Sequence, residues 1–420
     1  MLNINNIAGK TVLFLGVGGV SMHQLALAFK QLGANVVGYD HKPNTYTNLL
    51  LKHGIKVEHS FNKGFLNAGL CIKTGAIKAN NKIVQALNKV QCKIYDRAEA
   101  LAEMCKMFKT VVAVAGTHGK STTASLIYEI LRLGGNKVSC HIGADVFLPR
   151  FNPGDECLVV EACEYNKSFL KLNPTISVIT NVEAEHMDSY GSLFNLKNAF
   201  STFLKRGKQR FVFLEKSTKF LQRVKGVNFV ETCNLKLNPK IKGEYNLKNI
   251  ALAVKVCQNL GIDNQTITQA VNSFSGIPRR FELVGSANQT KIYIDYAHHP
   301  TEVKAFVSNF ENMFENCLIV FQPHTYSRTK TFLKEFVEVF LRVKNLCIFK
   351  EYAAREKKSC GLTAKELYAE IKKVNPTVKY AATASAVMKN IKSTQSVAFV
   401  GAGDINLVAE NICKSSFKKC

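Results

Sequence analysis

Short apolar runs alternate along this chain with stretches in which apolar positions recur every three or four residues, the periodicities of buried strands and one-sided helices. TVLFLG (11–16) reads as a buried strand, followed by Gly18, Gly19, an amphipathic stretch to Leu32 and a second strand, NVVGYD, ending at Asp40. That is a βαβ opening. The cycle restarts at TVVAVAG (110–116), with a helix predicted over 121–133 and strands at LVVEA (158–162) and ISVITN (176–181). The segment 243–262 has helical spacing, and SFSGIPRRFE after it carries the Gly and Pro of a junction near Gly276 to Pro278. Beyond it KIYIDYA, CLIVFQ, LCIF and SVAFVGAG alternate with helical stretches at 328–343 and 363–373, which predicts a third parallel sheet. The pattern gives an α/β fold of three domains in series, at 1–107, 108–277 and 278–420.

Length supports that count, because 420 residues exceed what one core usually holds. With 46% hydrophobic and 21% charged residues, the composition is that of a globular protein. The opening MLNINNIAGK lacks the charged and apolar regions of a secretory signal, and no apolar stretch approaches the ~18 residues of a membrane span. A cytoplasmic protein without membrane partners is expected. Thirteen cysteines, an odd number with no C-x-x-C, read as reduced core residues. A net charge of +25 brings nucleic acid to mind, but the lysines are scattered, with no basic arm and no run of five like charges. Nucleic acid is therefore not an expected partner.

The second restart carries chemistry. GTHGKST (116–122) places a glycine turn, Lys120 and Ser121 between a strand and a helix, the order that aims backbone N–H groups and a helix N-terminus at phosphate oxygens. The expected ATP-binding set is Gly116, Thr117, His118, Gly119, Lys120, Ser121 and Thr122. Lys120, expected to face solvent, would reach the β and γ phosphates, and Ser121 would offer its hydroxyl to Mg²⁺. The spacing is tighter than the general phosphate loop, which would put the first glycine at Val114. Glu161 and His186 both follow strands of the same domain. Alone, His186 reads as a satisfied buried histidine and Glu161 as a helix cap; the carboxyl ends of parallel strands share one crevice, which favours a second Mg²⁺ site instead. The central domain is thus a P-loop ATPase-like parallel sheet between Rossmann-like neighbours. The turn at Gly18 suggests a dinucleotide oxidoreductase with Asp40 on a ribose, but Ser21 stands where the third glycine belongs.

Nine ordered motifs, GVGGVSM (16–22), AGTHGKSTT (115–123), EACEY (161–165), TNVEAEHMD (180–188), YNLKN (245–249), RRFE (279–282), DYAHHPTEV (295–303), FQPHTYSRT (321–329) and GAGDI (401–405), run the length of the chain. In these motifs it resembles the Mur ligases, whose own phosphate loop has the tight G-x-x-G-K form. The resemblance implies a UDP-sugar-binding N-terminal domain, a central ATPase domain and a C-terminal domain that closes over both. It implies a UDP-sugar cradle of Gly16, Gly18, Gly19, Val20, Ser21 and Asp40. Ser121, Glu161 and His186 would be metal ligands, and Asn246, Asn249 and His298 would join the ATP site. The catalytic set would be Lys120, Glu161, His186, Arg280 and Asp295, with His324 and Arg328 near the incoming amino acid.

The activity so implied is ATP-dependent amide formation between the lactyl carboxylate of UDP-N-acetylmuramate and L-alanine, in peptidoglycan precursor synthesis. A recycling ligase that adds a tripeptide to the same nucleotide sugar is the runner-up, and GAGDI with QPHTYSRT favours the alanine-adding type. EACEY and PHTYS depart from the EADES and PHRYT of other members, so an arginine near the amino acid is missing here. Lys197 is the nearest counterpart of the carbamylated lysine of later-acting members, and reads as helix surface.

Overall fold

The computed structural model describes residues 2–144, 151–287, 289–354, 356–391 and 394–417. The chain forms two compact units, Met1–Ser275 and Gly276–Cys420. The first unit holds two parallel sheets. One is built from β1 (Thr11–Leu15), β2 (Asn35–Tyr39), β3 (Lys56–Glu58), β4 (Leu70–Lys73) and β5 (Lys93–Asp96), in the order β3-β2-β1-β4-β5. The other is built from β6 (Thr110–Ala115), β7 (Val138–His141), β8 (Cys157–Glu161), β9 (Ile176–Ile179), β10 (Gln209–Phe213) and β11 (Val227–Val230), in the order β11-β10-β9-β6-β8-β7.

In each sheet the chain reverses its direction of winding beside the first strand, β1 or β6. That opens a crevice at the strands' carboxyl ends, where ligands of such sheets sit. Val112, Ala113, Val114 and Ala115 of β6 are all fully buried, because helices cover both faces; a continuous apolar run is what such a strand requires. The helix Lys120–Leu133 follows it. Its Thr123, Leu126, Ile127 and Ile130, at helical spacing, have no exposed surface. Burying each of Leu126, Ile127 and Ile130 is worth on the order of 2 kcal/mol, which anchors the phosphate loop at its helical end.

The second unit contains β12 (Glu282–Ala287), β13 (Thr290–Asp295), β14 (Cys317–Phe321), β15 (Leu346–Phe349), β16 (Lys379–Ala381) and β17 (Ser396–Val400), in the order β12-β13-β17-β14-β15-β16. Alternate residues feed two cores. Ile319 and Phe321 pack with Phe336 and Phe340, while Leu318 and Val320 join Ile405 and Ile412 on the other face. The expectation of a parallel third sheet needs one correction, since β12 runs antiparallel to β13 at the edge. The helical stretch expected over 328–343 is also two helices, Tyr326–Thr331 and Leu333–Phe340, broken at Phe332.

Candidate active site

The loop between β6 and the helix Lys120–Leu133 is shaped by two glycines that admit no side chain. Gly116 has φ +145°, and a Cβ there would lie 1.9 Å from Thr180 Oγ1; Gly119, at φ +79°, would put one 2.3 Å from Asn249 Oδ1. The walls that exclude a Cβ also hold the loop. The His118 amide donates to Asn181 Oδ1 at 2.8 Å, Thr180 Oγ1 donates to the His118 carbonyl at 2.6 Å, and the Glu183 amide donates to Thr117 Oγ1 at 2.8 Å. Asn249 accepts from Thr123 Oγ1 at 3.2 Å and is itself approached by Asn246. Both asparagines are buried against the underside of the loop. The helix begins at Gly119 with no side-chain cap, and Thr122 is buried in its first turn.

Lys120 does not face solvent, contrary to the sequence reading. Its side chain is 14% exposed and Nζ donates to the carbonyls of Gly116 and Thr117 at 2.6 and 2.9 Å and to Glu164 Oε1 at 3.1 Å. Burial works against the ammonium, but the Glu164 and Glu161 carboxylates outweigh it and hold its pKa above the ordinary lysine value. Ser121 Oγ donates to Glu161 Oε2 at 2.8 Å, and the Gly143 amide donates to the same oxygen at 2.8 Å. His186 meets Glu164 instead, its Nε2 lying 3.7 Å from Oε1. One ligating atom from each of Glu164, Glu185 and His186 falls within a 4.8 Å cluster, and Glu164 Oε2 is buried without a hydrogen-bond partner. A hydroxyl, carboxylates and an unsatisfied buried oxygen around a phosphate loop form a donor set that suits Mg²⁺, a hard cation taking oxygen ligands.

In the first sheet's crevice, Gly16 (φ +77°) passes so close to Thr74 that a Cβ would lie 2.4 Å from its methyl group. Asp40 is occupied with the turn itself, accepting from the Gly18 amide at 2.9 Å. Gly19 opens the helix Val20–Gln31 without a side-chain cap, and Ser21 sits in its first turn. Ser21 Oγ lies 2.7 Å from His141 Nε2 and accepts from Arg97 at 2.9 Å. Burial, with the Arg97 charge, holds the His141 pKa down at about 3, so the ring is neutral. Gln24 bonds the Ile142 carbonyl at 2.7 Å, a second tie between the two sheets of this unit.

The second unit gathers its polar residues at the carboxyl ends of β13, β17 and β14. Asp295 ends β13, where its carboxylate accepts from the amides of Phe281 and Ala297 at 2.8 and 2.7 Å. Burial raises its pKa to about 6 against the pull of Arg280 and these amides. Arg280 Nη1 is 3.4 Å from Glu302 Oε1, and its guanidinium lies over the Tyr296 ring. Glu302 also accepts from the His298 amide at 3.1 Å. Arg279 donates to the carbonyls of Gly401 and Gly403. Arg279 and Phe281 both have positive φ, a conformation rare for residues with a side chain. Arg328 donates to His324 Nδ1 at 3.0 Å, which leaves the ring proton on Nε2, and burial beside His298, Arg328 and Arg279 takes the His324 pKa down to about 3.

Lys120, Glu161, Ser121 and His186 thus lie in one crevice of the first unit, and Arg280, Asp295, His298, His324 and Arg328 in one of the second. Glu164, Arg97, His141 and Glu302 were not singled out from sequence. Glu164 and Glu302 sit inside the motifs EACEY and DYAHHPTEV, and proximity to Glu161 and Asp295 was the available signal.

Two Rossmann-type sheets, one before and one after an ATPase-type sheet along the chain, with a phosphate loop at the central switch point, define an ATP-using ligase architecture. The chain belongs to the Mur ligase family. The model for the Mur ligase family catalytic domain matches residues 11–109, that for the Mur ligase middle domain 114–227, and that for the Mur ligase glutamate ligase domain 279–408. A UDP-N-acetylmuramate--L-alanine ligase of Caldicellulosiruptor bescii is 35% identical over 97% of this chain and 99% of its own length. One from Clostridium perfringens is 31% identical over 96% and 98%. In fold the chain is similar to a UDP-N-acetylmuramate-alanine ligase, MurC, from Thermotoga maritima (TM-score 0.83, 23% identity, 98% of this chain and 100% of that one). It is also similar to a murein peptide ligase from Psychrobacter arcticus (TM-score 0.70, 19% identity, 98% of each chain).

Proposed function

We propose that this protein joins L-alanine to the lactyl carboxylate of UDP-N-acetylmuramate at the expense of ATP, a step of peptidoglycan precursor synthesis in the cytoplasm. The observation that carries the reading is end-to-end similarity to relatives named for that reaction, together with a phosphate loop whose lysine and serine meet the acidic residues a metal-bound triphosphate needs. The relatives' names favour alanine over a tripeptide as the donor. Among the described residues no helix is long and apolar enough to cross a membrane.

In the chemistry assigned here, a carboxylate oxygen of the sugar attacks the γ phosphorus and ADP leaves, giving an acyl phosphate. The alanine amine then attacks the acyl carbon, loses a proton, and expels phosphate that carries the former carboxylate oxygen. Lys120 leaves Glu164 to neutralise charge growing on the transferring phosphoryl group. Amides of the Gly116–Thr122 loop orient the phosphates, with Thr117, His118 and Thr122 fixing its shape and Asn246 and Asn249 supporting it on the nucleotide side.

Ser121, Glu161 and His186, with Glu164 and Glu185 beside them, would hold Mg²⁺, which when bound supplies charge neutralisation between phosphate oxygens. Gly16, Gly18, Gly19, Val20, Ser21 and Asp40 form the UDP-sugar cradle, the glycine turn taking the diphosphate while Asp40 holds that turn through the Gly18 amide. Arg280, Asp295 and His298 serve ATP, while His324 and Arg328 orient the amino acid; with its Nδ1 lone pair taken by Arg328, the neutral His324 ring has its Nε2–H to donate. A heavy-oxygen label in the lactyl carboxylate tests the sequence of steps. It is expected in the released phosphate, and its retention in the amide product alone would refute an acyl phosphate.

A further inference from the structure

Arg97 opens the helix Arg97–Cys105 directly after β5, in the crevice of the first sheet. Its Nη1 donates to Ser21 Oγ at 2.9 Å, on the helix that follows β1, and Ser21 reaches His141 at the end of β7. Among the described residues this is its one hydrogen bond, and no carboxylate pairs with it. A guanidinium carries five N–H donors in a fixed fork, so most of this one's capacity is unspent. After burial its charge is the strongest influence holding His141 neutral, and its helix meets the chain after β8, where Glu99 pairs with Lys171 at 3.0 Å in the segment Tyr165–Lys171 that follows Glu164. Arg97 thus stands between the loop after β1, which starts the nucleotide-sugar cradle, and the loop after β8, which reaches Lys120.

We infer that Arg97 binds the carboxylate of the acceptor sugar and presents it to the γ phosphate. The assignment rests on the ligase reading above. That reaction needs the acceptor's carboxylate near Lys120 while its diphosphate stays on the Gly16–Ser21 turn, and a planar cation with free donors between the two matches a carboxylate bidentately. The bond to Ser21 ties the guanidinium to the cradle, so a seated diphosphate and a seated carboxylate are set in register.

The test compares UDP-N-acetylmuramate with UDP-N-acetylglucosamine, which keeps the diphosphate and lacks the lactyl carboxylate, by titration calorimetry on the full chain without ATP. Wild type is expected to bind the first more tightly. Arg97→Met should weaken UDP-N-acetylmuramate about ten- to hundredfold, the worth of a hydrogen-bonded charge, and leave UDP-N-acetylglucosamine unchanged, which also reports an intact fold. Arg97→Lys, keeping charge without the fork, should fall between. Equal losses for both ligands would assign Arg97 to the diphosphate and overturn the proposal, as would no loss for either. A wild type that does not distinguish the two ligands would defeat the ligase reading, and this inference with it.

Discussion

Replacing Lys120 with alanine should destabilise the first unit as well as stop turnover. Lys120 is 14% and Glu164 4% exposed, so the substitution strands a carboxylate deep in the crevice. Removing one partner of a buried ion pair costs about 3 to 5 kcal/mol. The lower end applies because His186 lies 3.7 Å from the same oxygen and can share its charge. At about 2 °C per kcal/mol for a unit of this size, the melting temperature should fall by roughly 6 °C. The companion substitution Glu164→Gln removes the stranded charge, so Lys120→Ala/Glu164→Gln should recover most of the loss while remaining inactive. Scanning calorimetry without nucleotide reads both changes. A Lys120→Ala variant that melts with wild type, or a double variant no more stable than the single, would show that the pair does not hold the loop.

Gly116→Ala drives a Cβ to within 1.9 Å of Thr180 Oγ1 and should abolish measurable ATP binding; wild-type affinity by titration would contradict so tight a turn. Ser121→Ala and Glu161→Gln should each raise the Mg²⁺ needed for half-maximal activity by at least about tenfold, equal to roughly 1.4 kcal/mol, whereas unaltered titrations would remove both from the metal site. Asp295 has a folded pKa of about 6 against an ordinary 3.8, so its stabilising contribution is complete below pH 3.8 and lost as pH rises through 6. In pH-dependent melting of the second unit, Asp295→Asn should flatten that decline, and an unchanged slope would refute the shift.

The parts of the fold legible in sequence are those whose burial is one-sided in kind. β1, β6, β8 and β14 are buried almost throughout, and an apolar run of five or six residues has no other use. Lys56–Glu58, Lys93–Asp96 and Lys379–Ala381 are three or four residues long and carry charges at sheet edges, so no periodicity marks them. β12 is half exposed and contains Gly285, and only its antiparallel partner makes it a strand. The break at Phe332 leaves the apolar spacing nearly intact on both sides, so the sequence there reads as one helix.

The site divides the same way. Lys120, Ser121 and the loop glycines are contiguous and carry a recognisable order. Glu164 meets Lys120 across 44 positions because β8 lies beside β6, and the loop after β8 turns through Asn166 and Lys167 at positive φ. Arg97 reaches Ser21 across 76 positions, a meeting set by the order β3-β2-β1-β4-β5 and invisible to any local pattern.

Phosphate release from ATP in a matrix of acceptors and amines decides whether this protein is the alanine-adding ligase. Release is predicted to require UDP-N-acetylmuramate and L-alanine together and to stop when either is omitted. Full activity with the tripeptide in place of L-alanine, or release with L-alanine and no nucleotide sugar, would contradict it.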